Sequence, residues 1–112
     1  MQVVFYKNMK GDEPAKDFLD SLDSKMRAKM TRTILLLQDN GSKLREPYTK
    51  PLRDGIFELR AKEGSDITRV LYFYVFGNKA VLTHGFVKKT DKTPPSEIER
   101  AIKYRDDYMN RI

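Results

Sequence analysis

Thr68-Arg69-Val70-Leu71-Tyr72-Phe73-Tyr74-Val75-Phe76, then Gly77-Asn78, then Lys79-Ala80-Val81-Leu82-Thr83-His84-Gly85-Phe86-Val87 is the stretch that decides the fold. Both arms are rich in β-branched and aromatic residues, and Gly-Asn between them suits the positive φ angles of a tight hairpin turn. The preceding Ile56-Phe57-Glu58-Leu59-Arg60-Ala61 alternates between two faces, so the pattern predicts a three-stranded antiparallel meander. The apolar run from Val70 to Phe76 is far short of the ~20 residues a membrane-spanning helix needs, and reads as a strand.

Outward from the meander, Val3-Val4-Phe5-Tyr6 is a short β-prone opening strand. Asp12-Glu13-Pro14 starts a helix, because proline fits a first helical turn where its missing N–H costs nothing. Ala15, Phe18, Leu19 and Leu22 form its stripe; Asp23-Ser24 caps a second helix carrying Met26, Met30, Ile34 and Leu37, which Asn40-Gly41 ends. Residues 42–55, with two prolines and no period, read as an irregular connection of a length that often carries function. Thr93-Pro94-Pro95 opens a last helix with Ile98, Ala101, Ile102 and Met109 on one stripe. The expected architecture is α+β in the order β-α-α-β-β-β-α. A single domain spans residues 1–112, with an N-terminal helix hairpin on one face of a small, mostly antiparallel sheet and the other face open.

A chain of 112 residues holds one core. It has no cysteine, which excludes a disulfide framework, a thiolate metal site and a cysteine nucleophile. The start MQVVFYKNMKG lacks the pattern of an export signal, so the cytoplasm is the expected compartment, with no membrane partner. Lys and Arg number 22 against 16 Asp and Glu, a net charge of +6 that suits an anionic partner. That excess is uneven: residues 41–92 carry eleven basic and six acidic groups, whereas the segments on either side are close to balanced.

Strand alternation then selects a face. With Phe57, Leu59 and Ala61 buried, Glu58 and Arg60 aim to the other side; if the polar members of the strands share it, Glu58, Arg60, Arg69 and His84 converge. Lys88-Lys89-Thr90-Asp91-Lys92 leaves the last strand at its rim. Guanidinium and ammonium groups suit phosphates, and a histidine with a pKa near 6.5 can move protons near neutrality. The plainer readings stand beside these. His84 suits ordinary packing, Glu58 and Arg60 a structural ion pair, the lysine loop a solvated connection, and Tyr72, Tyr74, Tyr104 and Tyr108 packing in sheet and helix. No Cys/His set or cluster of carboxylates stands at metal-ligand spacing, so the residues give no expectation of a metal site.

Pro51-Leu52-Arg53-Asp54-Gly55-Ile56-Phe57-Glu58-Leu59-Arg60, then Arg69-Val70-Leu71-Tyr72, then the run from His84 to Pro94, then Glu97-Ile98 and Ala101, resembles the RelE/ParE toxin superfamily, closest to its phage-derived HigB-like branch. The likeness extends over nearly the whole chain, and its specific part is the ordered trio G-x-x-E-L-R, R-V-L-Y and H-G-F-x-K-K-x-x-K-T-P. The resemblance implies the toxin of a type II toxin–antitoxin pair, a metal-independent endoribonuclease that cleaves messenger RNA, in many relatives on the ribosome. It implies an antitoxin as partner, often a helix-turn-helix DNA-binding protein. In the chemistry that the resemblance implies, which needs no metal or cofactor, the ribose 2′-hydroxyl attacks the adjacent phosphate and leaves a cyclic phosphate.

On that resemblance Arg60 and Arg69 hold the phosphate, His84 is general acid or base, and Glu58 orients it or acts as partner base. Lys88, Lys89, Lys92 and Arg53 bind RNA. Two other functions remain open on the same fold: ParE-like, non-enzymatic inhibition of DNA gyrase, and RNA binding without cleavage.

Overall fold

The hairpin around Gly77-Asn78 is present, with φ of 89° and 61° at its two turn residues. The computed structural model describes residues 1–112. In chain order the elements are β1 (Gln2–Phe5), α1 (Pro14–Ser21), α2 (Ser24–Asn40), a 3-10 turn (Gly41–Lys43), β2 (Thr49–Pro51), β3 (Phe57–Glu63), β4 (Asp66–Val75), β5 (Lys79–Lys88) and α3 (Pro95–Asn110). They form an α+β protein with one mixed five-stranded sheet in the order β1-β5-β4-β3-β2. The meander β3-β4-β5 and the edge strand β2 are antiparallel, whereas β1 runs parallel to β5. No helix is long and apolar enough to cross a membrane.

The local signals account for the helix ends. Asp23 accepts a hydrogen bond from the Met26 N–H at 2.9 Å, capping α2, and Gly41 ends it at a φ of 56°. Pro14 and Pro95 occupy first-turn positions of α1 and α3, where no N–H is needed.

Four expectations are corrected. The 42–55 connection is not wholly irregular: Thr49–Pro51 pairs with Phe57–Leu59, and Pro51 is tolerated because β2 is an edge strand. The second face of the sheet is not open. Ala15, Leu19, Met26, Met30 and Leu37 of the hairpin bury Leu59, Val70, Tyr72, Ala80 and Leu82, while α3 lays Ile98 and Ala101 over Leu71, Phe73 and Val81. The physical reason lies in β4, whose apolar side chains point both ways; leaving either set in water would forgo ~1.5–3 kcal/mol per large side chain. The stripe of α3 also differs, since Met109 is exposed, whereas Tyr104 stacks on Tyr6 at 4.7 Å and Tyr108 meets Phe73 edge-on at 5.7 Å.

The fourth correction concerns register. Leu71 opposes His84 but Tyr72 opposes Leu82, so Thr83 is an extra residue in β5, a β-bulge. Simple alternation would place Ala80, Leu82, His84 and Phe86 on one side. The bulge sends Ala80 and Leu82 to the hairpin core and Phe86 to the core beneath α3, where His84 lies against Tyr104. The Thr83 hydroxyl fixes the step by donating to the Leu71 carbonyl at 3.1 Å.

Beyond the bulge, Gly85 meets α1. A Cβ there would lie 2.3 Å from Phe18 Cδ2 and 2.8 Å from the Arg69 carbonyl oxygen. Gly85→Ala should lower the melting temperature by at least about 4 °C, corresponding to about 1 kcal/mol of overpacking. Phe18→Leu should restore only part of the loss, because the carbonyl remains; a thermal melt at the wild-type temperature would refute the close packing.

Candidate functional site

Residues two apart on a strand share a face, which places Glu58 beside Arg60 on β3, while register sets Arg60 opposite Arg69 on β4. Arg60 Nε lies 3.1 Å from Glu58 Oε2, and Arg69 Nε lies 3.6 Å from Glu58 Oε1. Glu58 and Arg69 are each 0% exposed. Glu58 therefore lies on the expected face but does not reach solvent, because a strap of chain covers it. The Thr93 hydroxyl donates to Glu58 Oε1, Arg69 Nη2 donates to the Thr90 carbonyl, and Arg60 Nη2 donates to the Asp91 carbonyl at 3.0 Å.

Two guanidinium groups thus face one buried carboxylate. Asp91 Oδ1 approaches Arg60 Nη2 at 3.4 Å, but its side chain is turned largely to solvent. Arg69 Nε and Nη1 and Glu58 Oε2 have no aligned hydrogen-bond partner in the protein. Desolvation pulls the Arg69 pKa below its ordinary value and Glu58 opposes that pull, yet an arginine stays charged near neutrality. The result is a buried excess of positive charge with donors to spare, which suits an anion with several oxygens.

His84 shares this face, as expected, but stands two strands from Glu58 and is not bonded to the cluster. Leu71 lies between it and Glu58 in the strand register, so the expected Glu58–His84 pairing does not occur. Its carboxylate partner is Glu97 on α3, with Nε2 to Oε1 at 3.1 Å, while Nδ1 lies 3.1 Å from the Thr83 hydroxyl. His84 is 3% exposed, and its ring meets Tyr104 edge-on. Burial holds its pKa below 6.5, and Glu97 partly opposes that shift. Glu97 was recognisable only as part of the family pattern, because nothing in its spacing ties it to His84.

The basic residues divide. Lys88 ends β5, Lys89 and Lys92 belong to the strap, and all three are exposed. Arg53 is engaged by Asp54 and by Glu99 of α3, which pins its loop to the helix. Both it and Lys92 line a cleft of ≈ 390 Å³ with Lys50, Leu52, Asp91, Thr93 and Ile98, next to the buried cluster. Lys50, inside the segment whose sequence shows no period, opposes Glu58 across β2 and β3. No group of three or more His, Cys, Asp or Glu is placed to hold a metal ion.

Among known proteins, the family model described as phage-derived protein Gp49-like (DUF891) matches residues 17–106, from α1 through most of α3. No curated protein matches the chain.

The cluster makes a stability prediction. Glu58→Leu leaves Arg69 buried without its counter-charge and should cost about 3–5 kcal/mol, whereas Glu58→Leu with Arg69→Met should cost clearly less. Urea titration of both variants measures the difference; equal losses would rule out a charge pairing. For His84, the unfolded chain takes up a proton near pH 6.5 before the folded chain does. Stability therefore falls as the pH drops below that value. The urea midpoint should decrease from pH 7.5 to 5.5, and His84→Gln should reduce that decrease; an unchanged pH slope in the variant would contradict it.

Proposed function

The chain belongs to the phage-derived Gp49-like family (DUF891), and on that premise we propose that it is the toxin of a type II toxin–antitoxin pair, a metal-independent endoribonuclease of RelE/HigB-like kind. One observation carries the reading: a buried arginine with two unengaged donors, beside a second arginine and a carboxylate, beneath a strap of backbone carbonyls. Peptide carbonyl oxygens occupy the positions where a phosphate would present its own.

In this reading RNA displaces the strap, and the scissile phosphate takes over the donors of Arg60 and Arg69. These two charges stabilise the crowded, more negative phosphate of the transition state. Glu58 accepts the proton of the 2′-hydroxyl as the 2′-oxygen bonds to phosphorus. As the bond from phosphorus to the 5′-oxygen breaks, the Lys92 ammonium in the adjacent cleft protonates the leaving oxygen. The products are a 2′,3′-cyclic phosphate and a free 5′-hydroxyl. His84 is a positioning residue here: through Glu97 it holds α3 against the sheet beside the strap. Lys88 and Lys89 bind flanking phosphates. The reading also entails messenger RNA as substrate, presented by the ribosome in the cytoplasm, and a cognate helix-turn-helix antitoxin.

The test is cleavage of a defined RNA by the purified protein, free and on translating ribosomes, against a matched strand with a 2′-deoxy nucleotide at the cut site. Cyclic-phosphate ends and an intact deoxy strand are expected. Arg60→Ala, checked for folding by circular dichroism, should lower the rate about 10²–10³-fold. Intact RNA in both settings overturns the reading, and supercoiling defects in expressing cells would then favour the ParE-like alternative.

A further inference from the structure

β3 outruns its neighbour: β2 pairs only with Phe57–Leu59, and beyond them the Arg60 N–H donates to the Tyr48 carbonyl at 2.9 Å. Further along β3 the space beside the strand is framed by α2 and residues 46–48, and a groove of ≈ 410 Å³ opens there. Four cations line it, Lys29, Arg32, Arg60 and Lys62, against one carboxylate, Glu46. Lys29 is already held by Glu63 and by the Lys62 carbonyl, whereas the Arg32 and Lys62 side chains make no ion pair. At the rim stands Tyr48, 44% exposed although it is a large aromatic residue.

We propose that this groove is a second binding site, for single-stranded RNA that continues past the cluster. Arg32 and Lys62 hold successive phosphates and the Tyr48 ring stacks on a base. The proposal deepens the ribonuclease reading and rests on it for the identity of the ligand. Two features favour a nucleic acid strand over an acidic peptide. Unpaired cations stand beside an exposed aromatic face, the combination that sequence-tolerant single-strand binding uses. Arg60 also belongs to both the groove and the buried cluster, so a single anionic chain can run from one to the other.

Binding is measured separately from cleavage, by fluorescence anisotropy with a labelled 2′-O-methyl oligonucleotide that cannot be cut. Tyr48→Ala should weaken it at least about fivefold. Arg32→Ala with Lys62→Ala should reduce the salt dependence of log K by about 0.7 per lost phosphate contact. Lys16→Ala, on the exposed face of α1, is the control for general loss of charge. The groove variants are solvent-facing, and thermal melts establish that they fold. Affinities that match the control overturn the proposal, as does an effect seen with poly-glutamate and not with the oligonucleotide, which would assign the groove to an acidic protein partner. A chain that binds RNA here but cleaves none keeps the groove and refutes the nuclease; normal cleavage with unchanged binding does the reverse.

Discussion

Arg69 lies in the central strand of a sheet covered on both faces, and a guanidinium there is tolerable only with a carboxylate against it. Taking a charge of this kind out of water costs several kcal/mol, and the Glu58 carboxylate at 3.6 Å offsets it electrostatically. Much of the neighbouring arrangement follows from that pairing. Glu58 needs Thr93, Arg69 needs the Thr90 carbonyl, and so the segment leaving β5 is drawn across the sheet before α3 begins. The helix then covers the apolar remainder of the same face.

The two faces of the sheet are consequently unlike. Against the hairpin the contacts are mainly apolar, from Ala15 and Met30 to Val70 and Leu82, with only uncharged hydroxyls such as Thr33 and Thr68 buried among them. The opposite face changes character along the strands: Leu71, Phe73 and Val81 lie under α3, and Glu58, Arg60 and Arg69 lie under the strap. The charged groups are held by rigid strands, and their cover is a loop. This division suits a site whose geometry is fixed in advance and whose access is controlled by a segment with few apolar anchors.

Much of this was legible in the residues. The cap at Asp23, Pro14 in the first turn of α1, the Gly77-Asn78 turn and the alternation of Ile56 to Ala61 mark elements through local backbone chemistry, which a single sequence carries. The convergence of Glu58, Arg60 and Arg69 follows from period two and register alone. What escaped depends on contacts between distant segments. Thr83 has nothing in its own chemistry to announce a bulge, yet it decides which way His84 points. β2 is three residues long and contains Pro51, so no period could form. The docking of α3 was hidden because β4 is apolar on both sides, which signals two covered faces without saying what covers the second.

The parallel seam between β1 and β5 bears on the order in which the protein comes into being. Gln2 pairs with Lys79 and Phe5 with Leu82, so the first strand has no sheet partner until most of the chain exists. Joining such distant segments carries a loop-closure cost that local hairpins avoid. During synthesis the α1–α2 hairpin and the β3–β4 pair can form early, while Arg69 still lacks the Thr90 carbonyl and α3 has yet to cover Leu71. The buried charge cluster is thus a property of the finished chain, and no partly made fragment ending before residue 93 can possess it in full.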